Sequence, residues 1–209
     1  MCIRDSGSIY LKLTQDYLYG DANKNVVFLG NHDLSRFFSV AGEDVNKMKL
    51  ATTFILTTRG IPQWYYGDEI LMKNFTNPDG RVREDFPGGW QGDSINKFKP
   101  ENLKGDEKDY FNYVKTLATY RKTSIPITQG KLMQFVPYDG VYVYFRYTDT
   151  QCVMIVMNTT DKPVDLSTKN YAERMSGFTK AKNIMTKVEL TNLNIIAIPA
   201  MSAQVWELR

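Results

Sequence analysis

The chain has 209 residues, of which 43% are hydrophobic, 23% charged and 13% aromatic. This composition is typical of a globular protein that buries a core, and it excludes intrinsic disorder. The 26 basic and 23 acidic residues give a formal charge of +3 without a basic cluster, which is too weak a balance to indicate nucleic acid as a partner. No apolar stretch reaches the roughly 20 residues that a membrane span needs. Two cysteines are too few for a disulfide scaffold.

The first residues do not have the pattern of a folded element. Residues 1–8 contain no apolar segment after a basic start, so they are not a secretory signal, and we interpret them as a foreign or artefactual start. Apolar residues at helical spacing predict a helix over residues 9–19, and Gly20 suits the position that ends a helix.

The next segment has the pattern of a parallel α/β fold. Residues 26–29 form a continuous apolar run, which predicts a strand buried on both faces of a parallel sheet. Helical spacing from residue 43 until Arg59 and Gly60 predicts a helix, and a second strand is expected over residues 61–66. The order helix, strand, helix, strand is typical of α/β proteins.

The remaining sequence divides into a long loop, a helix and an all-β segment. Residues 67–105 show no periodicity, and a connection of this length inside a domain is usually functional. A helix is predicted over residues 106–123. Short strands are expected over 131–137, 141–147, 152–157, 187–190 and 203–208, with a hairpin turn at Asp139 and Gly140. We therefore predict a small antiparallel sandwich over residues 128–209 that folds cooperatively by itself.

Three polar residues follow the first predicted strand directly. Asn31, His32 and Asp33 lie on the side of the strand where parallel α/β folds bind ligands. An aspartate can accept hydrogen bonds from two hydroxyls of a vicinal diol while a neighbouring histidine donates to one. The alternative is that the three residues only end the strand and that Asp33 serves a turn.

The segment after the second predicted strand contains aromatic and acidic residues. We expect Trp64, Tyr65 and Tyr66 to pack in the core rather than to stack on a ligand. Asp68 and Glu69 could pair with nearby cations or close the loop. Because adjacent residues on an extended chain point apart, they are poor candidates for a general acid and base pair.

The long loop carries alternating charges, a Phe-Pro-Gly-Gly turn and an indole between residues 79 and 90. Trp90 offers a flat apolar face for the C–H groups of a sugar, and an arginine such as Arg83 offers a fork of donors. The alternative is that these charges are merely solvated.

Together, residues 26–33, 59–69 and 83–90 resemble glycoside hydrolase family 13, the alpha-amylase superfamily, and within it the neopullulanase and cyclomaltodextrinase branch. They resemble the strand 7 motif, the strand 8 motif and the loop that follows. The hairpin at 131–147 and residues 198–208 resemble the carboxy-terminal β-domain of that branch. The resemblance implies an α/β plus all-β chain: the last two strand-helix units of a (β/α)8 TIM barrel over residues 9–127, then the β-sandwich over 128–209.

The resemblance also implies roles for individual residues. In this family the aspartate at the position of Asp33 is the third catalytic carboxylate, which stabilises the transition state as the sugar ring approaches an oxocarbenium ion. Asp79 and Arg83 have the spacing of the acid and the arginine that hold the next sugar toward the non-reducing end. The expected substrate-binding residues are Asn31, His32, Asp79, Arg83 and Trp90.

The family places its nucleophile and its acid/base carboxylate on strands 4 and 5, which would precede residue 26. We therefore expect a carboxy-terminal fragment of a retaining α-glucan hydrolase that is inactive alone. The expected substrates are starch-derived or cyclic α-glucans, namely maltooligosaccharides, cyclodextrins, pullulan or starch fragments. No cofactor, metal, nucleic acid or membrane partner is expected, and the branch favours a periplasmic or secreted enzyme of a Gram-negative bacterium. The alternative is a non-catalytic relative that serves as a glucan-binding or assembly module.

Overall fold

The computed structural model describes residues 6–209, and this range contains six α-helices and ten strands. The helices are α1 (Ser6–Leu13), α2 (Phe37–Val40), α3 (Val45–Thr57), α4 (Gly105–Thr123), α5 (Ile125–Gln129) and α6 (Ala172–Met175). The strands are β1 (Val26–Phe28), β2 (Ile61–Gln63), β3 (Lys131–Gln134), β4 (Val141–Tyr147), β5 (Cys152–Asn158), β6 (Val164–Ser167), β7 (Ala181–Asn183), β8 (Glu189–Leu190), β9 (Ile195–Ile198) and β10 (Ser202–Leu208). Within this range, no helix combines the length and the apolar character required to cross a bilayer.

The amino-terminal helix differs from its prediction. Residues 1–5 of the expected foreign start lie outside the described residues, whereas residues 6–8 belong to α1. Leu13 ends α1, and the chain continues as a 3-10 helix over Thr14–Leu18. Tyr17 and Leu18 are exposed there, so the apolar face predicted to reach residue 19 is buried only as far as Leu13.

Strands β1 and β2 pair in parallel, with α3 between them in the chain. Helix α3 begins after Asp44 because the carboxylate of this residue accepts hydrogen bonds from the backbone N–H groups of Asn46 (2.8 Å) and Lys47 (3.1 Å). The helix ends at Thr57, since Thr58 is extended. The mixed α/β organisation is therefore confirmed, and the parallel pair brings the carboxyl ends of both strands to one edge.

The prediction that the first strand is buried on both faces is wrong for this chain. Val26 is 54% exposed and Phe28 43% exposed, and only Val27 between them is partly buried. Among the described residues β1 has β2 as its only strand neighbour, so its other edge is unpaired, and the face that carries Val26 and Phe28 has no covering layer. Strand β2 also ends at Gln63, three residues earlier than predicted.

The carboxy-terminal part contains a six-stranded antiparallel sheet with the order β3-β4-β5-β10-β7-β8 and a separate pair β6-β9. Strands β4 and β10 flank β5, so Ile155 lies opposite both Tyr144 and Val205. Asp139 (φ 47°) and Gly140 (φ 73°) both adopt the left-handed conformation that an Asp-Gly hairpin turn requires, and this confirms the predicted hairpin.

Each face of the large sheet packs in a different core. Val143 and Phe145 pack with β6, β9 and α6. Tyr142 and Tyr144 face the other way and pack with α1, α3 and α4, and the Tyr144 hydroxyl lies 2.6 Å from Thr57 Oγ1 of α3. The segment 128–209 therefore shares one of its two cores with the helices before it, and its folding by itself stays a prediction.

Candidate functional site

The candidate site lies in the loops that follow the carboxyl ends of β1 and β2. The chain turns immediately after β1 because the Asn31 side-chain oxygen accepts a hydrogen bond of 2.9 Å from the backbone N–H of Asp33. Asn31 thus serves the turn that the alternative assigned to Asp33, and this turn sets the position of the Asp33 carboxylate.

Four of the six expected site residues come together around Asp33. One carboxylate oxygen of Asp33 lies 3.4 Å from His32 Nε2, and the other lies 4.0 Å from Arg83 Nη1. Arg83 also forms an ion pair with Asp79. The cluster therefore joins the loop after β1 to the long loop after β2.

These side chains are exposed, with 69% of the Asp33 side chain and 66% of the His32 side chain accessible to water. Ion pairs between exposed groups contribute little to stability, typically about 0–1 kcal/mol. The cluster presents carboxylate acceptors beside imidazole and guanidinium donors, a combination suited to hydroxyl groups. Its chemistry is consequently better suited to ligand binding than to holding the fold together.

Trp90 stands apart from this cluster. Its indole is 67% exposed, and its backbone N–H donates to the Asp93 carboxylate at 3.2 Å. The same carboxylate accepts a hydrogen bond from the Gly88 N–H at 2.6 Å. The contacts of the described residues do not join Trp90 to Asp33, so its place in a sugar site stays a prediction.

Sequence reasoning missed Arg36, which lies three residues after Asp33 and is 1% exposed. Its Nη1 atom lies 3.1 Å from the Asp68 carboxylate, so the expectation that Asp68 pairs with a cation is confirmed. Burial raises the pKa of Asp68 to about 6, while the Arg36 guanidinium opposes the shift. The sequence pattern does not predict the burial of an arginine. The only indication of Arg36 in the sequence was the expectation that Asp68 pairs with a cation.

Glu69 has a different partner from its neighbour Asp68. It accepts a hydrogen bond of 3.2 Å from Trp64 Nε1. The two carboxylates thus interact with different groups, as expected for adjacent residues. Among the described residues, no group of three or more His, Cys, Asp or Glu side chains could hold a metal ion.

Comparison with known proteins connects these loops and the sheet to carbohydrate-active enzymes. Residues 132–207 match the family model of the cyclo-malto-dextrinase C-terminal domain. A cyclomaltodextrin glucanotransferase of Niallia circulans is 27% identical over 199 residues, which are 90% of this chain and 25% of the relative. A cyclomaltodextrinase of Geobacillus thermopakistaniensis is 31% identical over 140 residues, which are 66% of this chain and 21% of the relative.

The chain is therefore similar to cyclomaltodextrinases, cyclomaltodextrin glucanotransferases and alpha-amylases, and its residues 132–207 match a domain of this group. The fold agrees, since the structure of an alpha-amylase from Geobacillus thermoleovorans complexed with acarbose aligns with a TM-score of 0.74 at 22% identity. That alignment covers 96% of this chain and 42% of the amylase. The chain spans only about a quarter of the length of these curated relatives.

Proposed function

We propose that the chain is the carboxy-terminal part of a retaining α-glucan hydrolase or related glucanotransferase. The observation that supports this proposal best is the cluster of Asp33, His32, Arg83 and Asp79 at the carboxyl ends of two parallel strands. The chain that carries this cluster is similar to alpha-amylases and cyclomaltodextrinases. In this proposal β1, α3 and β2 belong to the last two strand-helix units of a (β/α)8 barrel. Such barrels bind their ligands at the carboxyl ends of the strands.

The proposed roles follow from the chemistry of each side chain. Asp33 accepts hydrogen bonds from hydroxyls of the sugar whose bond breaks, and these bonds strengthen as positive charge develops on the ring. His32 donates to a hydroxyl of the same sugar. Arg83 and Asp79 bind the neighbouring sugar, and their ion pair fixes the guanidinium before the substrate arrives.

The proposed reaction needs two further carboxylates, a nucleophile and an acid/base about 5 Å apart. Asp68 is buried against Arg36, and Glu69 is engaged by the Trp64 indole, so neither is free to face a sugar held by Asp33. We therefore propose that the nucleophile and the acid/base come from residues that precede β1 in a longer gene product.

The substrate class that we propose is α-glucan: maltooligosaccharides, cyclodextrins, pullulan or starch fragments. The names of the relatives support this class, because they include cyclomaltodextrinase, cyclomaltodextrin glucanotransferase and alpha-amylase.

The test is Asp33→Asn in the complete gene product that contains this chain. The substitution keeps the shape of the side chain but removes its charge, so we expect kcat on maltoheptaose to fall at least about 100-fold, or about 3 kcal/mol. Asp85→Asn, at an exposed carboxylate in the same loop, is the matched control and should leave kcat unchanged. A near-normal kcat for Asp33→Asn would contradict the assignment.

The 209-residue chain itself should release no reducing ends from maltoheptaose, β-cyclodextrin or pullulan. A single exposed carboxylate cannot both form a glycosyl intermediate and protonate the leaving oxygen. Turnover that disappears in Asp33→Asn would overturn this part of the proposal. An upstream sequence without the two carboxylates would instead favour the glucan-binding or assembly module.

A further inference from the structure

A cluster around the buried Arg36 connects the two loops that carry the exposed site residues. Arg36 and Asp68 are buried in it, whereas Tyr66 is 39% exposed. We call this cluster the Arg36 network, and its members are Arg36, Tyr65, Tyr66 and Asp68. We propose that this network positions Arg83 beside Asp33. It thereby sets the affinity for the sugar that neighbours the one bound by Asp33. The inference rests on the proposed function, which it extends to residues that do not touch the substrate.

The centre of the network is the Arg36 guanidinium. Its Nη1 atom donates to the Tyr66 carbonyl at 2.5 Å and to the Asp68 carboxylate at 3.1 Å. Its Nε and Nη2 atoms are buried without a hydrogen-bond partner among the described residues. The guanidinium carbon lies 4.1 Å from the ring centroid of Tyr65 and 4.8 Å from that of Tyr66, so the two rings take the place of water around the charge.

Such an arrangement is a poor source of stability. Burying a charged pair costs desolvation free energy, and unpaired buried N–H groups add to that cost. An apolar side chain of similar volume would meet a purely structural need at least as well. The presence of Arg36 therefore calls for another explanation, which the positions of the tyrosine hydroxyls supply.

The two tyrosines extend the network to the loop that carries Arg83. The Tyr65 hydroxyl donates to the Val82 carbonyl at 3.1 Å, and the Tyr66 hydroxyl donates to the Glu84 carbonyl at 2.8 Å. These carbonyls belong to the residues on either side of Arg83. The backbone that carries Arg83 is thus held at two points by the hydroxyls of two tyrosines whose rings both contact the Arg36 guanidinium.

The other end of the network is the loop that carries Asp33. The backbone N–H of Arg36 donates to the Asn74 carbonyl at 3.0 Å, which fixes the chain three residues after Asp33. Gly67 (φ 82°) allows the turn that brings the Tyr66 carbonyl and the Asp68 carboxylate to the same guanidinium. The left-handed φ of Gly67 is rarely adopted by residues with a side chain, so the turn favours glycine, and a Cβ atom there would also have to displace the Met72 side chain.

The first test needs no enzymatic activity and uses the 209-residue chain. In the double variant Tyr65→Phe/Tyr66→Phe the rings remain over Arg36 but both hydroxyls are lost. We expect amide hydrogen exchange over residues 80–84 to become about tenfold faster, while exchange in β4 and β5 stays unchanged. Tyr138→Phe, at an exposed tyrosine, is the matched control. Unchanged exchange over residues 80–84 would overturn the inference.

The second test uses the complete gene product and separates positioning from folding. The double variant should raise KM for maltoheptaose several-fold with a smaller change in kcat, because it displaces Arg83 but leaves Asp33 in place. In an Arg83→Ala background the same two substitutions should have no further effect on KM, since their effect passes through Arg83. Additive effects on KM, or faster exchange with an unchanged KM, would overturn the positioning role.

The two proposals fail in different ways. If Asp33→Asn keeps a normal kcat, the proposed function fails, whatever the exchange experiment shows. If Asp33→Asn abolishes turnover while the tyrosine variants leave exchange and KM unchanged, only the Arg36 network fails.

Discussion

The buried Asp68 carboxylate should make the stability of the chain depend on pH in a direction opposite to that of an ordinary ion-paired aspartate. Burial raises its pKa from 3.8 to about 6, although Arg36 lies only 3.1 Å away. Because the folded pKa exceeds the unfolded one, the folded state holds this proton more tightly. The stabilisation is fully present below pH 4 and is lost as the pH rises through 6.

The expected magnitude follows from the difference between the two pKa values. A difference of about 2, at about 1.36 kcal/mol for each pKa unit, corresponds to about 3 kcal/mol of unfolding free energy. The assay is urea unfolding between pH 4 and pH 7, followed by the fluorescence of the three tryptophans. From pH 4 to pH 7 the original chain should lose about 3 kcal/mol more stability than Asp68→Asn does.

The comparison concerns the change with pH and not the absolute stability. Asp68→Asn also leaves the Arg36 guanidinium without its anion, a cost that does not itself titrate in this range. Asp85→Asn removes an exposed carboxylate from the same loop and should keep the pH dependence of the original chain. Parallel curves for the original chain and Asp68→Asn would refute the reasoning from burial.

Three further outcomes test the site, the core and the exposed sheet. In the complete gene product, Arg83→Ala should raise KM for maltoheptaose more than it lowers kcat, as measured by steady-state kinetics, because the guanidinium binds the neighbouring sugar. Tyr144→Phe removes the 2.6 Å hydrogen bond to Thr57 and should lower the unfolding free energy by about 1 kcal/mol in urea titrations. Val26 and Ile61 are each more than half exposed, so the chain should self-associate in sedimentation velocity, and changing both to threonine should reduce this.

Much of the fold was predictable where the local pattern is strong. Strand β4 has the predicted bounds, and β5 and α4 differ from theirs by one residue, because each has a sustained apolar pattern and a clear turn or end signal. The short elements α2, α5, α6, β6, β7 and β9 were missed. Strand β6, for example, exposes Asp165 and Ser167 and buries Leu166, so its pairing with β9 supplies what its own sequence lacks.

The residues of the candidate site were predicted from a resemblance rather than from a local pattern. The residues of the Asn31 to Asp33 motif came from a resemblance, and the structure then placed Arg83 beside Asp33. Arg36 could not be found in this way, because its role depends on a partner 32 residues away in the chain. Arg146 is a second case: this fully buried arginine in β4 donates to the carbonyls of Pro126 and Ile127, a role that only tertiary structure shows.

Asp33 and Arg36 differ in burial, and the exposure of Asp33 limits how strongly it can stabilise charge on a sugar. The Asp33 side chain is 69% exposed, whereas Arg36, three residues later in the chain, is 1% exposed. A carboxylate surrounded by water stabilises a developing positive charge weakly, since the interaction between charges falls as the dielectric constant rises. The role that we propose for Asp33 therefore requires walls that exclude water from the sugar, and these are absent among the described residues. The position of the carboxylate, by contrast, is set by the turn at Asn31 within this chain. Hydrogen exchange in the chain can therefore test how the backbone around Arg83 is held. Turnover in the complete gene product tests how strongly Asp33 stabilises the charge on the sugar.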